Sequence, residues 1–165
     1  MANPNRSAGI DKHIAALKAM KGKKVEAGWF ESDRYGATKG NSEGIPVAKV
    51  ARINEFGATI ASGKKTIVIP ARPFMRGAWL KFRADRKKIQ ANIAKKMLEK
   101  NLTADQALGA IGLILEGYIA GSIRDGGWQG NADATVAKKG FDKPLIDTGH
   151  MFKTVASKVS SQQEQ

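Results

Sequence analysis

The sequence predicts an α+β fold: a small, mostly antiparallel sheet with two long helices packed on one face. Three observations lead there. Short apolar segments at 24–31 and 66–69 carry strand character, the first alternating with period two. Two long stretches, Phe74 to Lys100 and onward from Thr103, repeat apolar residues with the period of a helix. The third observation is Ile69-Pro70-Ala71-Arg72-Pro73-Phe74-Met75-Arg76, a stiff elbow that turns the second strand into the first long helix. Pro70 and Pro73 hold the residues before them extended. Pro73 also has the fixed φ of a first helical position, where its missing N–H costs nothing.

The elements follow in order. Ile10, Ile14, Ala15, Leu17 and Met20 predict a helix over 9–21, stopped at Lys21-Gly22. Val25, Ala27 and Trp29 alternate in a strand over 24–31, although Phe30 falls on its polar face. Residues 32–44 are Gly-, Ser- and Asn-rich and read as a mobile loop. Pro46 opens a short helix that Gly57 stops. Residues 58–65 form a second loop or hairpin tip turning at Gly63. After the elbow, Phe74, Ala78, Trp79, Phe82, Ile89, Ile93 and Met97 supply the apolar stripe of a helix ending at Lys100, with Phe74 and Trp79 both expected in the core. Thr103 and Gln106 have capping-box spacing for the next helix. Its glycines, Gly109, Gly112, Gly117 and Gly121, predict close approach of a neighbouring element. Residues 126–143 read as a long loop, 144–149 as a compact turn, 150–153 as a helical turn and 154–159 as a last strand. Asp147 or Thr148 is placed to cap that helical turn.

At 165 residues the chain is expected to be one domain over 9–159, with polar tails at 1–8 and 160–165. Its net charge of +13 favours a polyanionic partner, whether nucleic acid, anionic membrane or acidic protein; the plain alternative is a basic surface without a dedicated ligand. The absence of cysteine excludes disulfides and thiolate metal sites. No uninterrupted apolar run reaches the ~18 residues of a membrane span. Met1 to Arg6 lacks the apolar core of a signal peptide. The expectation is a soluble protein of a reducing cytoplasm, or of a particle assembled there.

Residues with chemical potential are few. His13 and His150 have no ligand spacing, no Ser sits in a G-x-S-x-G turn, and no phosphate loop is present. Asp125, Asp133, Asp142 and Asp147 are candidates for an acidic cluster, but turn chemistry explains them better. The expectation is therefore no enzyme, with no catalytic, cofactor-binding or metal-binding residue and no cofactor. The strongest signal is the basic face of the helix over 76–100, carried by Arg76, Arg83, Arg86, Lys87, Lys88, Lys95 and Lys96. It is either a solvated face or a surface for a polyanion or an acidic partner. Tyr35 and Trp128 lie in Gly-rich loops. They are read as interface anchors in preference to base-stacking platforms, in loops that order on assembly. Arg72 either locks the elbow internally or reaches a neighbouring subunit.

Four segments occur in a telling order: Val25-Glu26-Ala27-Gly28-Trp29, Val47-Ala48 with Asn54-Glu55-Phe56-Gly57, Ile69 to Met75, and Pro144-Leu145-Ile146-Asp147-Thr148-Gly149. Together they resemble the neck and tail-completion proteins of tailed bacteriophages, including lambda-like minor tail proteins and Mu-like virion-morphogenesis proteins. The resemblance spans about residues 23 to 155. It implies a small α+β virion protein without catalysis, forming a homo-oligomeric ring of six copies at the head–tail junction or tail end. The implied partners are its own copies, neighbouring connector and tail-terminator or tail-tube proteins, and the packaged DNA in the channel, with no membrane. The implied location is the virion, and the host cytoplasm during assembly. The motif positions are Phe56, Arg72, Phe74, Asp147 and Thr148; with Tyr35 and Trp128 they make up the expected subunit or partner interface. The strongly basic long helix and His150 depart from the family pattern. The alternative is a nucleic-acid-binding protein using the 76–100 helix face.

Overall fold

A computed structural model of the chain describes residues 4–37, 41–63 and 65–161. Within them the fold is α+β. Strand β1 (Lys23–Gly28) pairs antiparallel with β4 (Ala156–Ser161), Val25 opposite Val159 and Ala27 opposite Ser157. Strands β2 (Ala58–Ser62) and β3 (Lys65–Ile69) form a separate hairpin around Gly63, whose φ is 60°. The strand content is thus two two-stranded ribbons. The 58–65 segment resolves as the hairpin alternative. Its first strand is hard to read because Ala58, Ala61 and Ser62 give it little apolar contrast.

The helices are α1 (Pro4–Ala19), α2 (Val47–Phe56), α3 (Phe74–Lys100), α4 (Ala104–Asp125), α5 (Asp133–Lys139) and α6 (His150–Lys153). The two long ones have the expected ends. Asn101 closes α3 in the left-handed conformation. Thr103 and Gln106 exchange both bonds of a capping box, Gln106 N to Thr103 Oγ1 at 3.2 Å and Thr103 N to Gln106 Oε1 at 2.9 Å. The central element is α4: β1, β4, α3 and α6 all pack on it. By length and composition α4 is apolar enough to cross a bilayer, with a window of mean hydropathy 1.3, although Glu116 interrupts any unbroken apolar run.

Two apolar clusters fill the interior. One holds Val47, Ala51, Phe74, Ala78, Ile119, Ile123 and Met151 beside the elbow. The other holds Ile89, Ile93, Met97 and Ala107 in the far half of the helix pair.

Several expectations need correction. β1 ends at Gly28, so Phe30 lies beyond the strand and its alternation. The 126–143 loop contains α5, which has an acid in its first turn, two lysines in its last and a left-handed Gly140 as its stop. Only Gly112 among the α4 glycines meets a neighbour: a Cβ there would lie 2.4 Å from Ser157 Oγ and 3.3 Å from Val25 Cγ1, whereas Gly109, Gly117 and Gly121 face open space. Ile10, Ile14 and Leu17 of α1 are exposed, because Ala16 and, just past the helix end, Met20 turn inward instead. Trp79 is 53% exposed and is not core. Phe74 and Ala78 take the inward face of that turn.

Candidate interaction site

The elbow is built from both sides by α2. Gly57 ends that helix at φ 75°, and a Cβ there would stand 2.8 Å from Ile69 O and 2.9 Å from Ala71 N. Only glycine allows this approach. The close contact brings Asn54 and Glu55 against the start of α3. Glu55, 4% exposed, accepts Met75 N at 2.8 Å on Oε2, and Arg76 N at 3.2 Å and Arg76 Nε at 2.9 Å on Oε1. A carboxylate from one helix therefore caps another, where the dipole and free N–H groups favour negative charge.

Arg72 resolves to its internal reading. It is 4% exposed and donates from Nε to Gln129 O (3.1 Å), from Nη2 to Gly130 O (3.2 Å) and from Nη1 to Asn54 Oδ1 (3.4 Å). Burial lowers its pKa from the ordinary value, and the Asp142 charge opposes that shift. Phe74 is fully buried, edge-on to Trp29 at 5.9 Å. Neither side chain is on the surface to touch a partner. Their expected place as interface contacts is corrected to the interior of the elbow.

Tyr35 and Trp128 are also claimed by the domain itself. Both rings are half-buried against the elbow cluster. Trp128 donates from Nε1 to Ser122 O at 3.0 Å, and Tyr35 lies 5.0 Å from the His150 ring. Backbone bonds from Tyr35 N to Ile45 O and from Val47 N to Asp33 O close the base of the first loop. Both aromatic anchors are thus seated on their own domain. Residues 38–40 of that loop lie outside the described residues. Asp147 and Thr148 are exposed; Thr148 Oγ1 accepts His150 N at 3.3 Å, but the N-cap position of α6 falls on the left-handed Gly149, which has no side chain to cap it, so the expected cap by Asp147 or Thr148 is corrected. Burial, then the Asp147 charge, raises the Tyr35 phenol above its ordinary pKa. The aspartates serve turns and pairs: Asp142 accepts Asn131 N at 2.9 Å, and Asp125 pairs with Arg124 at 2.7 Å.

Two surface areas combine the predicted residues with free charge or apolar exposure. The first is an open groove of about 570 Å³ between α2, the start of α3 and the end of β1. Its floor is largely apolar, and Phe56 (65% exposed) and Trp79 stand on its rim. Arg76 lies over the Phe56 ring, 5.4 Å from its centroid, so Arg76 belongs to this groove rather than to the outer face of α3. Arg52 stands exposed beside it. The second area is the outer face of α3. Arg83, Arg86, Lys87, Lys88, Lys95 and Lys96 are exposed there. Among the described residues only Lys95 has an ion pair, with Glu99 at 3.7 Å. Asp85 is occupied by the Tyr118 hydroxyl at 2.5 Å.

Sequence reasoning missed Arg52, Glu55 and Trp79 as site residues. Glu55 carried a signal, an acid inside the segment leading to a glycine stop. Trp79 differs from Phe74 only by rotation on the helix, which needs the partner elements to interpret. Comparison with protein-family models, with curated proteins and with solved structures finds no match to this chain.

Proposed function

We propose that the chain is a structural virion protein of a tailed bacteriophage, forming a homo-oligomeric ring at the head–tail junction or tail end. The observation that carries this reading is convergence. The four segments that resemble neck and tail-completion proteins lie far apart in sequence, yet all four contribute to or pack on the elbow cluster: Ala27 and Trp29 from the first, Val47 from the second, Phe74 and Met75 from the third, Leu145 and Ile146 from the fourth. Exposed apolar surface adds support. The β2–β3 hairpin presents Ile60, Ile67 and Val68 to solvent, and an isolated two-stranded ribbon is marginal in water without something to pack on. Imaging of particles assembled without the protein tests the reading. Separate heads and tails are expected; normally joined particles would overturn it.

A second reading, binding of nucleic acid, is favoured by one observation. Arg83, Arg86, Lys87, Lys88 and Lys96 have no ion-pair partner among the described residues. Titrating salt against binding to random duplex DNA separates the two. Tight binding with a steep salt slope belongs to a nucleic-acid protein.

A further inference from the structure

We infer that the groove between α2 and α3 docks an acidic segment of a partner protein, one that carries a large apolar side chain between its carboxylates. The inference rests on the assembly reading above, in which a neighbouring ring supplies that segment. The apolar half of the argument is exposure. Trp79 and Phe56 stand at the rim of a concave, mostly apolar floor, and both leave more than half their surface in water. Aromatic side chains beside a pocket are what dominate protein contacts. Trp79 is stacked on Phe82, ring centroids 5.5 Å apart, so it is held in place rather than free to turn inward.

The charged half is the state of the groove's ionic groups. Glu55, the acid among the lining residues, already accepts three bonds from Met75 and Arg76 and is turned into the base of α3. Arg76 spends Nε and Nη2 on Glu55, and Nη1 has no partner among the described residues. Arg52 has no hydrogen bond or ion pair among the described residues. Two guanidinium groups flanking an apolar trough match carboxylates flanking an apolar side chain, and Arg binds carboxylates in paired geometry.

Charge also chooses between a foreign partner and a second copy. The chain has 28 Lys and Arg against 15 Asp and Glu. Of its own exposed apolar segments, the 58–69 hairpin contains no acid and carries Lys64 and Lys65, and α1, with Ile10, Ile14 and Leu17 exposed, sets a single Asp11 among Arg6, Lys12 and Lys18. Such a segment would bring cations to cations.

The test uses the full chain and a fluorescein-labelled twelve-residue peptide of Glu, Asp, Gly and Ser around a central Trp-Leu pair. Two control peptides replace the acids with Lys or the Trp-Leu pair with Ser. Binding is read by anisotropy at physiological salt. The acidic apolar peptide is expected to bind, and each control to bind roughly tenfold more weakly or worse. Arg52→Glu and Trp79→Ser, both exposed and checked for an unchanged fold by melting, are expected to weaken it by a similar factor. Lys87→Gln with Lys88→Gln should change it by less than about threefold, because those charges lie some three turns farther along α3, roughly 16 Å from Arg76 along the helix axis and beyond the screening length at physiological salt. No binding, binding indifferent to Arg52→Glu and Trp79→Ser, or binding lost mainly with Lys87 and Lys88 would overturn the inference. Self-association of the chain abolished by Arg52→Glu would overturn the choice of partner. Particle imaging stays separate. Unjoined heads and tails without peptide binding would remove the groove and keep the head–tail role; peptide binding with normally joined particles would do the reverse.

Discussion

The two ends of the α3–α4 pair are built on different principles. At the elbow end, aromatic side chains and buried polar groups interlock: Phe74 and Trp29, Glu55 under the start of α3, Arg72 between two carbonyls and Asn54. Among the described residues no buried side-chain N or O atom lacks a partner. At the far end the buried residues are aliphatic, Ile89, Ile93, Met97 and Ala107, and a cationic face lies outside. One end draws its uniqueness from directional bonds, the other from a simple apolar seam. A satisfied polar network specifies one arrangement and is costly to break, while an exposed charge stabilises little and is free to meet something else.

The largest expected effects test whether the elbow end carries the stability. Phe74→Ala should cost ~3–5 kcal/mol in urea denaturation, and Ile93→Ala about 2 kcal/mol, near the lower end for a buried aliphatic. Equal losses would dissolve the contrast. Next comes the polar network. Glu55→Ala leaves Met75 N–H, Arg76 N–H and Arg76 Nε without their acceptor and should cost about 2–3 kcal/mol. Glu99→Ala, breaking an exposed pair with Lys95, should cost less than about 0.5 kcal/mol. A Glu55→Ala protein that melts like the parent would mean the cap is ornamental.

Glycine substitutions sharpen the comparison along α4. Gly112→Ala drives a methyl into Ser157 and should destabilise by ~1–3 kcal/mol. Gly117→Ala meets nothing and should stabilise by ~0.5–1 kcal/mol, the helix-propensity gain. Opposite signs in two otherwise like helix glycines are the outcome to look for. Trp79→Ala should cost only about 1 kcal/mol, the scale of its stacking on Phe82. The smallest effect belongs to the outer face. Replacing Arg86, Lys87 and Lys88 with Gln should leave stability within about 0.5 kcal/mol while flattening any salt dependence of polyanion binding. A larger loss of stability would show that the face is structural.

Much of the fold was legible before any coordinates. The ends of α3 and α4 were, because proline geometry, an Asn before a new cap and a T-x-x-Q box act within a few residues. The α5 helix carries its own acid, lysines and glycine stop, yet seven residues with little apolar pattern look like loop. The site was legible in part. Phe56, Arg72, Phe74 and Arg76 were singled out, but which of them faces water was not.

Local chemistry settled where α3 and α4 begin and end, the sign of the surface charge and the rigidity of the elbow, because these depend on neighbours in sequence. Only packing decided that Phe74 turns inward and Trp79 outward, that Arg72 is spent on the carbonyls of Gln129 and Gly130, more than fifty residues away, and that one α4 glycine is crowded while three are open. Helical periodicity repeats the same stripe on any helix. Which side of the stripe is buried depends on where α2, β1 and β4 arrive, and that is set by contacts across the whole chain.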